Sequence, residues 1–290
     1  MTENERHQIK ARRVKFDWAE TPLHWVTDDP FTTHTINVLH LLLPAGERWF
    51  CQVFRTSLPL VTDDQLREDA KGFIGQEAIH SRAHAGVLDH LGAQGVDTTA
   101  YTRRIDWIFE RMLGETPFAV KRFPKALERE WLKQRLAIIA AIEHFTCVLG
   151  GWVLEADALD RAESDPTMLD LLRWHGAEEV EHRAVAFDMF SHVSGGYARR
   201  VLAMIGVAPV MAWLWYVGTR FLMRRDPSHP PKPRWRDLLR AARRGLLPRP
   251  REVGAAIPRY LKPGYHPLQE ADTKRALAYL ASSPAAKYAS

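Results

Sequence analysis

Hydrophobic and polar positions along the chain follow a helical period over long stretches. No run of alternating β-branched residues and no Asn-Gly hairpin turn interrupts this pattern. Prolines and capping residues mark where each helical run begins and ends. Four long helices are predicted, over residues 33–57, 62–91, 125–159 and from the turn at 164–166 to about 195.

The connection between the second and third long helices is much longer than the others. It contains a predicted shorter helix over residues 99–112 and a segment, 114–124, that Pro117 and Pro124 keep from being helical. Four long helices with one long connection are typical of ferritin-like folds. The predicted fold class is all-α, a ferritin-like four-helix bundle with a long crossover and extra C-terminal helices.

The predicted organisation has four parts. Residues 1–30 form an N-terminal extension, and residues 31–195 form the bundle. Residues 196–225 form an apolar helix that packs on the bundle or associates with a membrane. Residues 226–290 form a basic C-terminal wrap, rich in Pro and Arg, with short helices predicted over 235–244 and 273–282.

The apolar stretch 201–223 has no charged residue in its first 19 positions. Three interpretations remain open: a helix buried against the bundle, a membrane-inserted segment, and a lid over an apolar pocket. Length and hydropathy suit a membrane span. The basic block that follows, with ten Lys/Arg against two Asp over 224–251, suits anionic lipid. Pro209, in the middle of the stretch, favours a buried helix.

Composition narrows the class of protein. The chain has 290 residues, and its 46% apolar content supports a packed core and excludes global disorder. Two distant cysteines, Cys51 and Cys147, cannot build a disulfide framework or a CxxC zinc site. The polar N-terminus predicts no secretory signal, so the cytoplasm is the predicted location, with membrane association left open. The net charge of +5 comes with no nucleic-acid motif, and nucleic acid is not a predicted partner.

Two Glu-x-x-His pairs carry the strongest chemical signal. Glu77 and His80 lie on the second predicted helix, and Glu179 and His182 lie on the fourth. Positions i and i+3 share one helical face, so each pair projects together. Carboxylates can bridge two cations, and each imidazole can complete one coordination sphere. One such pair arises often by chance, whereas two on different long helices indicate a shared metal site.

The first and third predicted helices each supply one further acid. Glu47 and Glu143 are single carboxylates inside apolar runs. A buried carboxylate needs a cation or a hydrogen-bonded partner. The alternative to a metal is an ion pair, for which Arg48 and Arg135 are candidates. The di-metal bundle pattern asks for one such Glu from each of these two helices.

A third histidine extends the pattern. His175 precedes Glu179 by four residues, so it shares the same helical stripe and is a candidate ligand, or alternatively a hydrogen-bonding partner of the ligands. His84 and His40 are candidate supporting groups near the site. Glu178 and Glu181 are expected on the solvated face of the helix, although Glu178 lies close enough to compete with Glu179.

The motifs QEAIHSRAH and WHGAEEVEHRAVAFD resemble those of the bacterial family called predicted metal-dependent hydrolases, which is ferritin-like in fold. The likeness covers about residues 28–194 and extends into the tail. Separately, the order E…ExxH…E…HxxxExxH is similar to that of di-iron N-oxygenases of the p-aminobenzoate N-oxygenase type. The resemblance implies seven residues as both metal ligands and catalytic residues: Glu47, Glu77, His80, Glu143, His175, Glu179 and His182.

Four carboxylates formally offset two divalent cations, so two metal ions are predicted: iron first, with manganese or zinc as alternatives. The first functional hypothesis is a di-iron oxygenase or oxidase that acts on an apolar or aromatic small molecule, with O₂ and an electron donor. The alternatives are a two-metal hydrolase of an ester or related substrate and a non-catalytic, metal-binding ferritin-like protein. A membrane surface and a homodimer are left open as further partners.

Overall fold

The computed structural model describes residues 8–121 and 123–287, and this part of the chain is all-α, without a strand. The α-helices are α1 (Pro30–Ser57), α2 (Asp64–Ala93), α3 (Thr99–Trp107), α4 (Lys125–Glu155), α5 (Asp157–Arg161), α6 (Pro166–His182), α7 (Val185–Val193), α8 (Tyr197–Arg225), α9 (Trp235–Arg243), α10 (Pro250–Tyr260), α11 (Thr273–Ser282) and α12 (Pro284–Lys287). A π-helix, Ile108–Met112, continues α3, and short 3₁₀ turns lie at Leu58–Leu60, Pro117–Ala119 and Pro267–Gln269.

Aspartate caps begin three of the long helices. The side chains of Asp29, Asp63 and Asp165 each accept a hydrogen bond from the backbone N–H three residues on. Such a bond satisfies one of the N–H groups that have no partner within the helix. The second long helix is therefore capped by Asp63 and starts at Asp64, two residues later than predicted.

Two predicted helices are each divided in two. The third long helix ends at Glu155, because Ala156 adopts a non-helical conformation (φ −82°, ψ 63°), and α5 follows. The fourth long helix breaks between α6 and α7, where the Arg183 guanidinium donates to the carbonyl of Val180. That carbonyl would otherwise accept the next bond of a continuous helix.

The long helices pack in pairs. Helix α1 lies along α2, and α4 lies along α6 and α7, while contacts between α1 and α4 join the pairs. Helices α4 and α6 come close together at Gly150 and Gly176, where a Cβ on Gly176 would lie 2.9 Å from the Gly150 Cα. Two hydrophobic clusters fill the interior, one around Trp174 and one around Phe73. A layer of polar side chains lies between them.

Helix α8 contains the apolar stretch 201–223 and packs on α1 and α4 with one face. By length and composition, α4 and α8 are both apolar enough to cross a membrane. Their surroundings differ: 67% of the apolar window of α4 is buried in the protein, against 28% for α8. Helix α4 is thus an interior helix, and α8 is a surface helix with an uncovered apolar face.

Candidate metal centre

Six side chains from four helices converge in the polar layer. Helix α1 contributes Glu47, α2 contributes Glu77 and His80, α4 contributes Glu143, and α6 contributes Glu179 and His182; each is at most 3% exposed. Their ligand-type atoms form overlapping groups in which all atoms lie within 4.8 Å of one another. The structure therefore brings these six sequence-predicted residues into one buried cluster.

The groups overlap in an informative way. One contains Glu77, Glu143, Glu179 and His182, and another contains Glu47, Glu77 and His80. A third joins His80 and Glu179 with a further histidine, His175. A fourth group joins Glu47 with His84 and His175, so Glu47, Glu77 and Glu179 are three carboxylates that each belong to two groups.

The polar atoms of this cluster lack hydrogen-bond partners within the described chain. Nine buried atoms are involved: both carboxylate oxygens of Glu47, Glu77 and Glu143, and Glu179 Oε2, His80 Nδ1 and His182 Nε2. Buried polar atoms are nearly always hydrogen-bonded, because an unpaired one costs about 1–3 kcal/mol. Seven oxygens and two nitrogens that face one another match the donor set for two hard or borderline cations. The residues present fit a metal pair.

In each of the two cluster histidines, the ring nitrogen that faces away from the cluster has a hydrogen-bond partner. His80 Nε2 lies 2.9 Å from Glu178 Oε2, which leaves its Nδ1 facing the cluster. His182 Nδ1 lies 2.9 Å from Gln76 Oε1, which leaves its Nε2 within 3.4 Å of Glu77, Glu143 and Glu179. Such bonds fix the orientation of metal-binding imidazoles.

Arg12 links the two supporting residues, Glu178 directly and Gln76 through Glu181. Its guanidinium donates to Glu178 at 2.8 Å and to Glu181 at 2.7 and 2.6 Å, and Glu181 accepts from Gln76 at 2.5 Å. Glu178 and Glu181 have side chains at most 1% exposed, so their expected place on a solvated face is wrong. The N-terminal segment covers them, and the Arg12 guanidinium forms an ion pair with each carboxylate.

Glycines of α2 make this cover possible. Side chains at Gly72 and Gly75 would collide with Ile9 and Ala11, so the segment around Arg12 lies directly on the helix backbone. Neither Arg12 nor Gln76 was singled out by the sequence patterns. Only the i, i+3 spacing of Glu178 and Glu181 beside the ligand stripe signals a second polar row on α6.

His175 lies beside the cluster with both ring nitrogens occupied. Its Nε2 is 2.8 Å from Glu179 Oε1, and its Nδ1 is 2.7 Å from His84 Nε2. His84 Nδ1 is in turn 2.7 Å from His40 Nδ1. The structure thus places His175 as a hydrogen-bonding partner of Glu179, and its role as a ligand stays a prediction. His84 and His40 continue the row outward.

Burial and mutual repulsion control the ionisation of the cluster. Burial, reinforced by the charge of Glu179, raises the pKa values of Glu77 and Glu143 to about 8. Burial and the charge of Glu77 raise the pKa of Glu47 well above its usual range. Burial opposes ionisation of Glu179 as well, but His182 and His175 together outweigh it and lower the pKa of that carboxyl. The three carboxyl groups with raised pKa values, Glu47, Glu77 and Glu143, favour the protonated form until a cation balances their charge.

The histidine row is neutral for a related reason. Burial lowers the pKa of His40 to about 3, and burial together with neighbouring imidazoles lowers the pKa values of His84 and His175. Neutral imidazoles have one donor and one acceptor nitrogen. With His175 donating to Glu179, the tautomers of the row are determined, and each outer histidine donates to the next one inward.

The ion-pair alternative for the two single acids is not found in the described chain. Arg48 pairs with Asp106 at 2.9 Å, and the buried Arg135 has no ion-pair partner among the described residues. Neither arginine contacts Glu47 or Glu143 in an ion pair. Cys51, one turn beyond Glu47, is buried, and its Sγ donates to the carbonyl of Ile74 at 3.5 Å, as a packing residue would.

The family model for predicted metal-dependent hydrolases matches residues 10–271. The chain belongs to this family. No curated protein and no solved structure matches the chain. The matched region begins before Arg12 and extends far beyond α7, so it includes the supporting network as well as the cluster. Membership of the hydrolase family and the buried Glu/His cluster agree on a metal-dependent protein.

Aromatic rings enclose the cluster in this hydrolase-family chain. The Trp174 ring meets His80 edge-on at 5.1 Å, and the Phe73 ring meets His182 edge-on at 4.8 Å. Trp49 and Phe50, two and three residues after Glu47 on α1, are each 2% exposed. Such walls exclude bulk water and strengthen electrostatic interactions within the site.

Proposed function

We propose that this protein is a hydrolase that holds two metal ions in a ferritin-like four-helix bundle and cleaves an ester or a related bond of a small molecule. One observation carries the proposal: nine unpartnered buried atoms of six side chains face one another between two pairs of helices. Family membership supports hydrolysis over the oxygenase hypothesis that the sequence pattern favoured.

The six residues of the cluster would hold the metals. A metal pair of this kind supplies a nucleophilic water at neutral pH and stabilises negative charge on a substrate oxygen. Iron, manganese and zinc all accept this set of oxygen and nitrogen ligands. The identity of the metal therefore has to come from analysis of the purified protein.

The chain's own groups have separate tasks in such a reaction. The row from Glu179 through His175 and His84 to His40 offers a proton a continuous path, because each step is a hydrogen bond of 2.7–2.8 Å. Arg12 holds Glu178 and Glu181 in place through ion pairs. Glu178 in turn contacts the His80 imidazole, and Glu181 accepts from Gln76, which contacts His182.

Oxidation by O₂ is the second candidate function, and a specific observation favours it. The cluster is completely enclosed by protein and lined by aromatic rings such as Trp174 and Phe73, which suits reactions that must exclude water. Four carboxylates beside an additional histidine also match the ligand order of the N-oxygenase type. The metal centre is common to both functions, and O₂ dependence separates them.

A paired assay tests the proposal. The metal content of the purified protein is measured, and turnover of p-nitrophenyl esters and of bis-p-nitrophenyl phosphate is compared in air and under nitrogen. We expect two metal ions per chain and O₂-independent hydrolysis. Glu143→Gln should abolish both, whereas Glu128→Gln, an exposed position on the same helix, should keep both.

Three other results have a clear meaning. Absence of hydrolysis, together with O₂ consumption by the iron-loaded, reduced protein, would replace hydrolysis by the second candidate. Metal binding without either activity would support the non-catalytic alternative. Absence of bound metal after reconstitution with iron, manganese and zinc would end the proposal altogether.

A further inference from the structure

The outward face of α8 is an uncovered apolar stripe. Leu202, Ile205, Val210, Trp213 and Tyr216 are 48–66% exposed, and Gly206 and Pro209 lie exposed between them. Positions three to four apart share one helical face, so these side chains form a continuous row. Fourteen residue steps at about 1.5 Å give the row a length of roughly 21 Å. Soluble monomers rarely leave such a patch open.

A basic groove adjoins one end of this stripe. It lies between α3 and α8, has a volume of about 770 Å³, and its walls are mostly apolar, with Tyr101, Ile105 and Phe221 among them. Four arginines line it, Arg104, Arg220, Arg224 and Arg225, and no acidic residue does. One of the four has an acidic neighbour outside the groove, since Arg225 lies 3.5 Å from Asp97. The groove therefore carries positive charge over an apolar floor.

Charge and side-chain type indicate which partner fits. Trp213 and Tyr216 lie where the apolar stripe meets the arginines, and amphipathic rings are enriched at the boundary between hydrocarbon and headgroups. Arginines beside an exposed apolar face complement anionic headgroups. A second copy of this chain would bring equally positive surfaces together at this end of the stripe. An anionic membrane satisfies the apolar stripe and the arginines at once.

We propose that α8 docks in the plane of an anionic membrane surface, with its apolar stripe among the outer acyl carbons and the arginine groove at the phosphates. The inner face of α8 stays packed on α1 and α4, through buried residues such as Met204 and Leu214, so the helix lies on the membrane and does not cross it. The inference is independent of the reaction proposed for the metal centre.

Vesicle co-sedimentation tests the proposal with the full chain. The probes are phosphatidylcholine vesicles with and without about 30% phosphatidylglycerol. We expect binding to the anionic vesicles that weakens as salt rises, and little binding to the neutral ones. Leu202→Glu on the stripe and Leu268→Glu elsewhere form a matched pair, since these leucines are 66% and 62% exposed. The first should reduce the partition coefficient more than tenfold, and the second should leave it unchanged.

A charge-reversed pair tests the groove in the same assay. Arg224→Glu should weaken binding to anionic vesicles roughly tenfold, because one phosphate-facing charge is lost and an opposing one is introduced. Arg129→Glu, at an exposed position of α4, should have little effect. The proposal is overturned if the two variants of each pair bind anionic vesicles equally well. It is also overturned if the wild-type protein does not bind anionic vesicles at low salt. A dimer in sedimentation equilibrium that Leu202→Glu dissociates, without vesicle binding, would assign the stripe to a second copy instead.

Discussion

Arg12 offers the sharpest test of how the metal centre is held together. Its guanidinium forms an ion pair with Glu178 and with Glu181, whose side chains are 0% and 1% exposed. Replacing it by glutamine removes this positive charge from beside two buried carboxylates. Removing one partner of a buried ion pair costs about 3–5 kcal/mol. Arg12 is itself 22% exposed, so water can partly replace it, and we expect a loss near the lower end, about 3 kcal/mol.

The same substitution should weaken metal binding, because Glu178 and Glu181 hold His80 and the Gln76–His182 pair. Loss of a group that supports a metal ligand lowers affinity by about 10–100-fold.

The assays are denaturant unfolding of the metal-free protein and competition titration of zinc against a chelating dye. The control is Arg13→Gln, which removes an exposed arginine at the neighbouring position. If Arg12→Gln and Arg13→Gln gave the same unfolding midpoint and the same metal affinity, the supporting role of Arg12 would be refuted.

Three further predictions follow from the packing and the charges. Gly176→Ala should destabilise the protein by about 1–2 kcal/mol and weaken metal binding, because its Cβ would push α6 away from Gly150 on α4. The control is Gly254→Ala, which has open space around it. In the same unfolding assay it should be neutral or stabilising by up to about 1 kcal/mol. Asp226→Asn should cost about 3 kcal/mol at pH 7, since His24 and His34 both contact that buried carboxylate, and this loss should shrink as pH falls below about 4. Removal of bound metal by a chelator should lower the melting temperature, and zinc should restore it. A melting temperature that does not change when the chelator is added would contradict a metal in the cluster.

The sign of the Asp226 prediction follows from its contacts. Burial alone would raise the pKa of this carboxyl, but hydrogen bonds from His24, His34 and Ser228 together outweigh burial and lower it below its usual range. A lowered pKa in the folded state stabilises the protein above the unfolded pKa of about 4, and that stabilisation disappears as pH falls. The wild-type and variant unfolding curves, measured from pH 7 to pH 3, should therefore approach each other on the acid side.

Local patterns determined much of this protein from the sequence alone. The helical period and the capping residues predicted the long helices to within a few residues at most ends, as at Ser57 and Lys125. The i, i+3 spacing placed Glu77 with His80 and Glu179 with His182. Isolated acids in apolar runs singled out Glu47 and Glu143. All these signals reside within one turn or one helix, where backbone geometry alone controls which side chains share a face.

Only the tertiary structure decided the features that join distant parts of the chain. Arg12 is 166 residues from Glu178, and nothing in the local pattern of either position reveals the other. The period of α6 marks Glu178 and Glu181 as off the ligand stripe, yet the N-terminal segment covers them, so they are buried. The composition of α8 left burial, a membrane span and a lid all open. Its packing on α1 and α4 with one face and its exposure on the other depend on neighbours that hydropathy does not encode.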